Sequence, residues 1–227
     1  MDGKIKKAAT LYSTSIREGW RKTTTSWPLI RLMRPAYRRF DNAWPHIDKI
    51  DGYLVPGQEW WLYETAAKLS DGAVIVEIGS FKGRSTACLA LGCMETSKRV
   101  YAIDTFNGND VDFPERSYFD QFQSNMQRLE LSAYVRPLVG YSTEIAQQWT
   151  EPIDLLFIDG SHQFDGVLAD FENFYPHVKP GGIIAFHDVA KTWPGPLKCW
   201  HEIASPRLMN TGYCKTLAFG RKELLSS

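Results

Sequence analysis

The chain has 227 residues, of which 44% are hydrophobic and 23% are charged, and its formal net charge is zero. This composition excludes a wholly disordered or fibrous protein, and the length suits one domain with an extension. No run of about 18 apolar residues occurs, as a membrane-spanning helix would need. The four cysteines show no C-x-x-C pair and no zinc spacing, and no apolar stretch follows the first lysines. These features predict a cytosolic protein with reduced thiols.

The charge is distributed unevenly along the chain. Residues 1–50 contain 11 Lys or Arg and 4 Asp or Glu, a net charge of +7, so the remaining residues carry −7. The same segment is rich in aromatic residues, which favour burial over a fully solvated tail. We therefore predict an N-terminal extension or lid over residues 1–50 and a single domain over 51–227. Contact with an anionic membrane surface is the alternative for the basic segment.

Secondary structure is predicted from Arg31 onward, and the pattern becomes regular from Gly57. Arg31–Phe40 predicts a short basic helix interrupted by Pro35, and Lys179–Gly182 predicts a turn before the last of the five strands below. From Gly57, apolar periodicity and β-branched runs predict five helices and five strands. The helices are Gln58–Leu69, Arg84–Leu91, Ser117–Leu131, Thr143–Trp149 and Phe164–Tyr175; the strands are Val74–Ile78, Arg99–Ile103, Tyr134–Val139, Ile153–Ile158 and Gly182–Phe186. This alternation predicts an α/β fold, a Rossmann-like doubly wound and mostly parallel sheet with helices on both faces. One or two further strands fit around Tyr213–Arg221.

Ligands in such sheets bind beyond the carboxyl ends of the strands. After the first strand, Gly79 and Gly83 frame a turn that opens a helix, which is typical of a site for an anionic or nucleotide ligand. Phe81 stands where a dinucleotide fingerprint requires glycine, so that fingerprint is absent. Asp104 ends the second strand, where a carboxylate can accept hydrogen bonds from a ribose diol. A simple tight turn at the glycines and a turn cap at Asp104 are the alternatives.

Two further strand ends carry most of the candidate chemistry. Asp159 and His162 follow the fourth strand, and His187 and Asp188 follow the fifth. Because the two strands are expected to be neighbours, Asp159, His187 and Asp188 should meet and could bind a divalent cation. His162 lies outside that cluster and could accept a proton near pH 7. The alternative is that both aspartates only cap the following loops.

The motifs at these strand ends resemble one known family. They are Val76-Glu77-Ile78-Gly79-Ser80-Phe81-Lys82-Gly83-Arg84-Ser85-Thr86, Ile103-Asp104-Thr105-Phe106, Phe157-Ile158-Asp159-Gly160-Ser161-His162, Lys179-Pro180-Gly181-Gly182 and Phe186-His187-Asp188-Val189. Together they resemble class I S-adenosylmethionine-dependent methyltransferases over roughly residues 51–220. The branch most similar is the small-molecule O-methyltransferases grouped with cephalosporin hydroxylase-like and macrolide-sugar enzymes.

The resemblance implies a cofactor, a metal and an acceptor. S-adenosylmethionine would be bound by Glu77, Gly79, Ser80, Phe81, Gly83, Arg84, Ser85, Asp104, Thr105, Ser142, Asp159 and Gly160. A divalent cation, Mg²⁺ or Mn²⁺, would be bound by Asp159, His187 and Asp188, where His187 replaces the acidic residue of the family pattern. His162 would be the general base, with Asp159 as the second catalytic residue. The acceptor would be a small molecule, a sugar or another polyhydroxylated compound.

Three other functions are weighed against this one. A nucleic-acid methyltransferase is suggested by the basic N-terminus, but Asp159-Gly160-Ser161-His162 replaces the Asn/Asp-Pro-Pro-Tyr element of base-amino enzymes, so no nucleic-acid partner is expected. A nucleotide-dependent oxidoreductase is disfavoured by Phe81. A noncatalytic adenosine-binding module has no use for His162 beside two aspartates. We expect a cytoplasmic protein, with peripheral membrane contact and homo-oligomer formation left open.

Overall fold

The computed structural model describes residues 35–107 and 118–224. The chain divides into two units, with the boundary between Asn42 and Ala43. The first unit is described only over residues 35–42, which open a helix. The second unit contains the sheet and the candidate site residues. The predicted division at residue 50 stays a prediction.

Seven strands form one sheet in the described part of the chain. They are β1 Val74–Ile78, β2 Arg99–Asp104, β3 Val135–Val139, β4 Ile153–Ile158, β5 Val178–Phe186, β6 Leu208–Cys214 and β7 Leu217–Lys222. Their order across the sheet is β3-β2-β1-β4-β5-β7-β6. The first five strands are parallel, and β7 runs antiparallel to both β5 and β6. The predicted Rossmann-like, mostly parallel α/β fold is thereby confirmed.

The described helices connect these strands. They are α1 Pro35–Ile47, α2 Gln58–Lys68, α3 Arg84–Leu91, α4 Phe119–Arg128, α5 Ser142–Ala146, α6 Phe164–Phe174 and α7 Pro194–Cys199. Short 3₁₀ turns occupy Ser132–Tyr134, Tyr175–His177 and Ser205–Arg207, and a π-turn occupies Trp200–Ala204.

The core lies on both faces of the sheet because successive side chains of a strand point to opposite faces. On β1, Val74, Val76 and Ile78 pack in one cluster with side chains of α6, including Phe171. The intervening Glu77 faces α3, where it meets the Thr86 hydroxyl. All five residues of β1 are buried, which is the usual state of a central parallel strand. Glu77 is therefore a carboxylate in the interior.

One local prediction was wrong. Lys179–Gly182 was predicted as a turn, but these residues lie inside β5, where the pairing with β4 shifts between Ile153 and Leu155. Gly181 has φ +77, and such an irregularity accommodates proline and glycine within a strand. Residues 31–34 of the predicted Arg31–Phe40 helix lie outside the described residues, so its interruption at Pro35 stays a prediction.

Candidate functional site

The turn after β1 is shaped by three residues with positive φ. Gly79, Phe81 and Gly83 have φ values of +87, +46 and +89. A Cβ atom on Gly79 would lie 2.1 Å from the carbonyl oxygen of Asp159. The backbone at the end of β1 therefore touches the backbone at the end of β4, and only glycine fits between them. The ring of Phe81 packs edge-on against Tyr118, with ring centroids 4.7 Å apart.

Asp104, at the carboxyl end of β2, anchors this turn. Its Oδ2 accepts hydrogen bonds from the backbone N–H groups of Ser80 (2.8 Å) and Phe81 (2.7 Å), and Oδ1 accepts one from Phe106 (2.7 Å). These contacts fit the turn-cap alternative, and they also leave acceptor capacity on Oδ1. Thr105 follows, half-buried. Ribose binding by Asp104 and Thr105 stays a prediction.

Glu77 is completely buried beneath the same turn. Its Oε2 accepts hydrogen bonds from the hydroxyls of Ser80 (2.9 Å) and Thr86, whereas Oε1 has no hydrogen-bond partner. Burial raises the pKa of Glu77 to about 7, although the nearby hydroxyls of Ser85, Thr86 and Ser80 act in the opposite direction. A buried oxygen without a donor beside the predicted cofactor site is suited to a ligand that brings one.

Asp159, His187 and Asp188 meet at the ends of β4 and β5, as predicted. One potential ligand atom from each lies within 4.8 Å of the others. The imidazole Nδ1 of His187 is 3.0 Å from Asp159 Oδ1 and 3.2 Å from Asp188 Oδ2, yet it makes no aligned hydrogen bond. Burial alone would lower the pKa of His187, but the charges of both carboxylates raise it to about 10. The cluster thus brings one buried imidazole nitrogen and two carboxylates close enough together to bind a single ion.

His162 joins this cluster through Asp188. Its Nε2 lies 3.0 Å from Asp188 Oδ2, the oxygen that also faces His187. Burial opposes ionisation of Asp188, but the hydrogen bond with His162 and the adjacent imidazole of His187 hold the pKa of that carboxyl well below its usual range. One face of the His162 ring stacks on Trp193 with centroids 4.0 Å apart. The side chain of His162 is still 41% exposed, so a ligand can reach it.

Gln58 is a site residue that the sequence analysis missed. Its side chain is fully buried at the start of α2, and its Oε1 lies 3.0 Å from the Nε2 of His187. Sequence periodicity identified only a helix here. The signal that could have found it is a polar residue at a position that the helix buries.

The remaining predicted cofactor residues fall into two groups. Gly83 directly precedes α3, Ser85 lies in the first turn of α3, and Gly160 follows β4. Ser142 begins α5 and donates a hydrogen bond to Asp170. Burial raises the pKa of Asp170 to about 6, against the effect of the Ser142 hydrogen bond.

The side chain of Arg84 contacts other protein groups. Its guanidinium pairs with Asp48 at 2.9 Å and Glu59 at 3.3 Å, and it lies over the ring of Trp44. Its Nε is buried without a hydrogen-bond partner. A cofactor role for Arg84 stays a prediction.

With this geometry established, comparison with known proteins decides the family. The family model described as "Methyltransferase domain" matches residues 76–189, which is half of the chain. The chain belongs to this methyltransferase family. The matched range begins in β1 and ends directly after Asp188, so it contains the glycine turn, Asp104 and the Asp159–His187–Asp188 cluster. The nucleotide-dependent oxidoreductase and the noncatalytic module are set aside by this match.

Curated relatives match parts of the chain. It is 30% identical over 139 residues to the uncharacterized protein y4gI of Sinorhizobium fredii, covering 59% of this chain and 15% of that protein. It is 31% identical over 121 residues to the uncharacterized protein R132 of Acanthamoeba polyphaga mimivirus, covering 52% of each. Demethylmacrocin O-methyltransferase of Streptomyces fradiae is 39% identical over 57 residues, covering 25% of this chain and 14% of that enzyme. The chain thus spans about half or less of these relatives.

Solved structures share the fold. The O-methyltransferase of Bacillus cereus in complex with SAH superposes with a TM-score of 0.58 at 23% identity, covering 82% of this chain and 90% of that one. TomG of Streptomyces achromogenes in complex with SAM gives 0.61 at 19% identity, covering 84% and 90%. An rRNA methylase of Streptococcus thermophilus gives 0.56 at 15% identity, covering 75% and 99%.

The predicted methyltransferase family is confirmed by the family match. The chain also shares its fold with enzymes solved in complex with SAH or SAM, whereas S-adenosylmethionine as the cofactor of this chain is part of the proposal below. Among the described residues, no helix combines the length and the apolar character needed to cross a membrane.

Proposed function

We propose that this enzyme transfers a methyl group to a hydroxyl of a sugar or another polyhydroxylated small molecule, with assistance from a divalent cation. The observation that carries the proposal is the cluster of Asp159, His187 and Asp188 with His162 attached to it. The names of the relatives add support, since demethylmacrocin O-methyltransferase and the Bacillus cereus and Streptomyces achromogenes enzymes are O-methyltransferases.

The side chains fit a cation. Asp159 and Asp188 offer the oxygen ligands that Mg²⁺ and Mn²⁺ prefer, and the Nδ1 of His187 is buried without an aligned partner. A nitrogen ligand shifts the preference from Mg²⁺ towards Mn²⁺ or another transition metal. When bound, the cation would lower the pKa of a hydroxyl on the acceptor. Adjacent hydroxyls could chelate it, which favours a vicinal diol.

The cofactor would lie over the ends of β1, β2 and β4. Glu77 Oε1 lacks a donor, and the ammonium of S-adenosylmethionine would supply one. Asp104 and Thr105 would face the ribose, and Ser142 the adenine. The proposed set is the predicted one, namely Glu77, Gly79, Ser80, Phe81, Gly83, Arg84, Ser85, Asp104, Thr105, Ser142, Asp159 and Gly160.

His162 is the proposed general base. Because Asp188 is an acceptor, the Nε2 of His162 carries the proton between them, and Nδ1 keeps its lone pair. The acceptor oxygen attacks the methyl carbon of the sulfonium, forming the O–CH₃ bond as the S–CH₃ bond breaks to leave S-adenosylhomocysteine. The hydroxyl proton passes to His162 Nδ1. Catalysis otherwise consists of holding the two reactants in line.

The test uses demethylmacrocin as a polyhydroxylated probe, with S-adenosylmethionine and Mn²⁺, and mass spectrometry of the product. A methylated product is expected, and its formation should stop in excess EDTA. His162→Ala should lower turnover by about 10²–10⁴-fold with cofactor affinity retained. The matched control is His201→Ala, at an exposed histidine outside the site.

Two outcomes would contradict the proposal. Full activity of a metal-stripped preparation in EDTA would disprove the role of the cation. The role of the general base would then depend on the His162→Ala result alone. Methylation of ribosomal RNA in a parallel reaction, with demethylmacrocin and simple sugar diols untouched, would favour the nucleic-acid alternative that the rRNA methylase fold also allows.

A further inference from the structure

The carboxamide of Gln58 uses all of its hydrogen-bonding groups in the interior. Its Oε1 accepts from the backbone N–H of Val55 (2.6 Å) and lies 3.0 Å from His187 Nε2. Its Nε2 donates to the carbonyl oxygen of Cys214 (3.3 Å) and to the hydroxyl of Thr216 (3.0 Å). The side chain is 0% exposed, so water does not substitute for any of these partners.

These partners determine which end of the amide faces His187. The Val55 N–H can only donate, and the Cys214 carbonyl can only accept. A rotated amide would place its NH₂ group against the Val55 N–H and its oxygen against the Cys214 carbonyl, which gives two repulsive contacts. The group that faces His187 is therefore the amide oxygen.

The protonation of the imidazole follows from that orientation. An amide oxygen accepts only, so the Nε2 of His187 must carry a proton. The nitrogen that can give up its proton to bind a cation is Nδ1, which is also the nitrogen that lies between Asp159 and Asp188. A metal-bound histidine whose other nitrogen donates to a fixed acceptor is held in both tautomer and ring orientation.

We propose that Gln58 is a positioning residue of the metal site. Its oxygen retains the Nε2 proton of His187 and thereby presents Nδ1 to the cation beside the two carboxylates. Gln58 also joins three parts of the chain at this point, since it begins α2, contacts the β6–β7 turn and supports the end of β5. This inference rests on the proposed function for the cation, but the proton on Nε2 can be tested without metal.

The first experiment compares Mn²⁺ affinity by calorimetry in the wild type, Gln58→Leu and Thr216→Val. Loss of a partner of a ligating histidine typically weakens metal binding by about 10–100-fold, and we expect that loss in Gln58→Leu. Thr216→Val is the matched control, because it removes a half-buried hydrogen-bond partner of Gln58 while the Cys214 carbonyl and the His187 contact remain. Its affinity should stay within about twofold of the wild type.

The second experiment is ¹⁵N NMR of the wild-type imidazole, assigned by its loss in His187→Asn. A slowly exchanging Nε2–H signal should be present without metal and should persist with Mg²⁺. This measurement needs no variant at Gln58, so it decides the proposal even where Gln58→Leu does not fold.

The outcomes separate the two proposals. Wild-type affinity in Gln58→Leu, or an equal loss in Thr216→Val, would overturn the role of Gln58, and so would an unprotonated Nε2. If the wild-type protein binds no Mn²⁺ but shows the protected Nε2–H signal, the proposed cation site is wrong. The hydrogen bond from His187 Nε2 to Gln58 would still be supported.

Discussion

At the scale of single residues, Asp104 combines two roles that are difficult to separate. Its carboxylate anchors the turn after β1 through the backbone N–H groups of Ser80 and Phe81, and it accepts a third hydrogen bond from Phe106 in its own loop. The proposed cofactor site assigns it the ribose hydroxyls as well. A residue with both roles shapes the site before the cofactor arrives. Substitutions there should consequently change cofactor affinity more than a single hydroxyl contact would.

Asp104→Ala is expected to weaken S-adenosylmethionine binding by about 1.5–3 kcal/mol, the scale of hydrogen bonds to a charged group. The measurement is calorimetric titration of the folded variant. Asp154→Ala is the control, because Asp154 also accepts from a strand N–H, that of Val74, but at the opposite end of β1. An unchanged dissociation constant in Asp104→Ala would rule out the assignment.

Glu77 should make stability depend on pH. Burial raises the pKa of Glu77 to about 7 from 4.5, so the folded state binds the proton more tightly than the unfolded state does. Stability therefore falls as pH rises from about 4.5 to about 7 and is level above that range. The shift corresponds to about 3 kcal/mol.

Glu77→Gln should remove this contribution. Urea denaturation of the cofactor-free protein at pH 5, 6, 7 and 8 would show a shallower decline for the variant than for the wild type. The exposed Glu202→Gln serves as the control and should keep the wild-type slope. Parallel slopes in the wild type and Glu77→Gln would show that this carboxyl is not the group responsible.

At the scale of elements, the contact between β1 and β4 determines which residues fit. Gly79 and Gly72 both have positive φ, +87 and +74, but their surroundings differ. A Cβ atom on Gly79 would lie 2.1 Å from a backbone oxygen, whereas on Gly72 the nearest atom would be 3.7 Å away. An alanine at Gly72 would therefore suffer backbone strain alone, whereas an alanine at Gly79 would suffer both backbone strain and a steric clash.

Gly72→Ala should cost about 1–2 kcal/mol, the strain of a left-handed alanine. Gly79→Ala should cost more than about 4 kcal/mol or prevent folding, because the ends of β1 and β4 must separate. Thermal and urea denaturation of both variants test this. Equal losses would mean that the contact with Asp159 is easily relaxed.

Secondary-structure elements with a strong local sequence pattern could be predicted from the sequence. β1 and β4 were predicted with their bounds because strands buried on both faces are continuous apolar runs. Residues Lys179–Gly182 were misjudged because proline and glycine signal a turn locally, whereas the pairing of β5 is decided by distant residues. The carboxylate and histidine cluster followed from strand ends alone.

Contacts between distant parts of the chain could not be predicted. Gln58 and His187 are 129 positions apart, and no periodicity links them. The family resemblance places Arg84 near the cofactor, but no sequence signal indicates that its guanidinium pairs with Asp48 and Glu59. Such partners are chosen by packing of α1, α2 and α3, which depends on the whole fold.

At the scale of the whole molecule, the N-terminal segment is the largest part without an assigned role. We propose that it shapes the acceptor site or contacts an anionic surface, because it carries an excess of seven positive charges with many aromatic residues. The proposed donor residues all lie between Glu77 and Asp188. Trp44 and Asp48 contact Arg84, so a truncation should leave them in place.

Deleting residues 1–34 should keep S-adenosylmethionine affinity within about twofold, since none of the proposed cofactor ligands is removed. Turnover of the acceptor, or binding to vesicles that contain phosphatidylserine, should decrease. Calorimetry, the methylation assay and vesicle sedimentation measure the three quantities. Loss of cofactor binding in a folded truncated protein would instead place this segment at the donor site.

One carboxylate oxygen, Asp188 Oδ2, lies against both His162 and His187. Its residue also has φ +56, a conformation that asparagine and glycine share with aspartate but bulky residues avoid. A substitution of Asp188 would thus change the contacts of two histidines at once, and few residue types could replace it. Among descendants that abandon the cation, we expect Asp159 or His187 to be replaced first and Asp188 last. The order in which these three residues are substituted among related sequences would show whether both histidines depend on the Asp188 carboxylate.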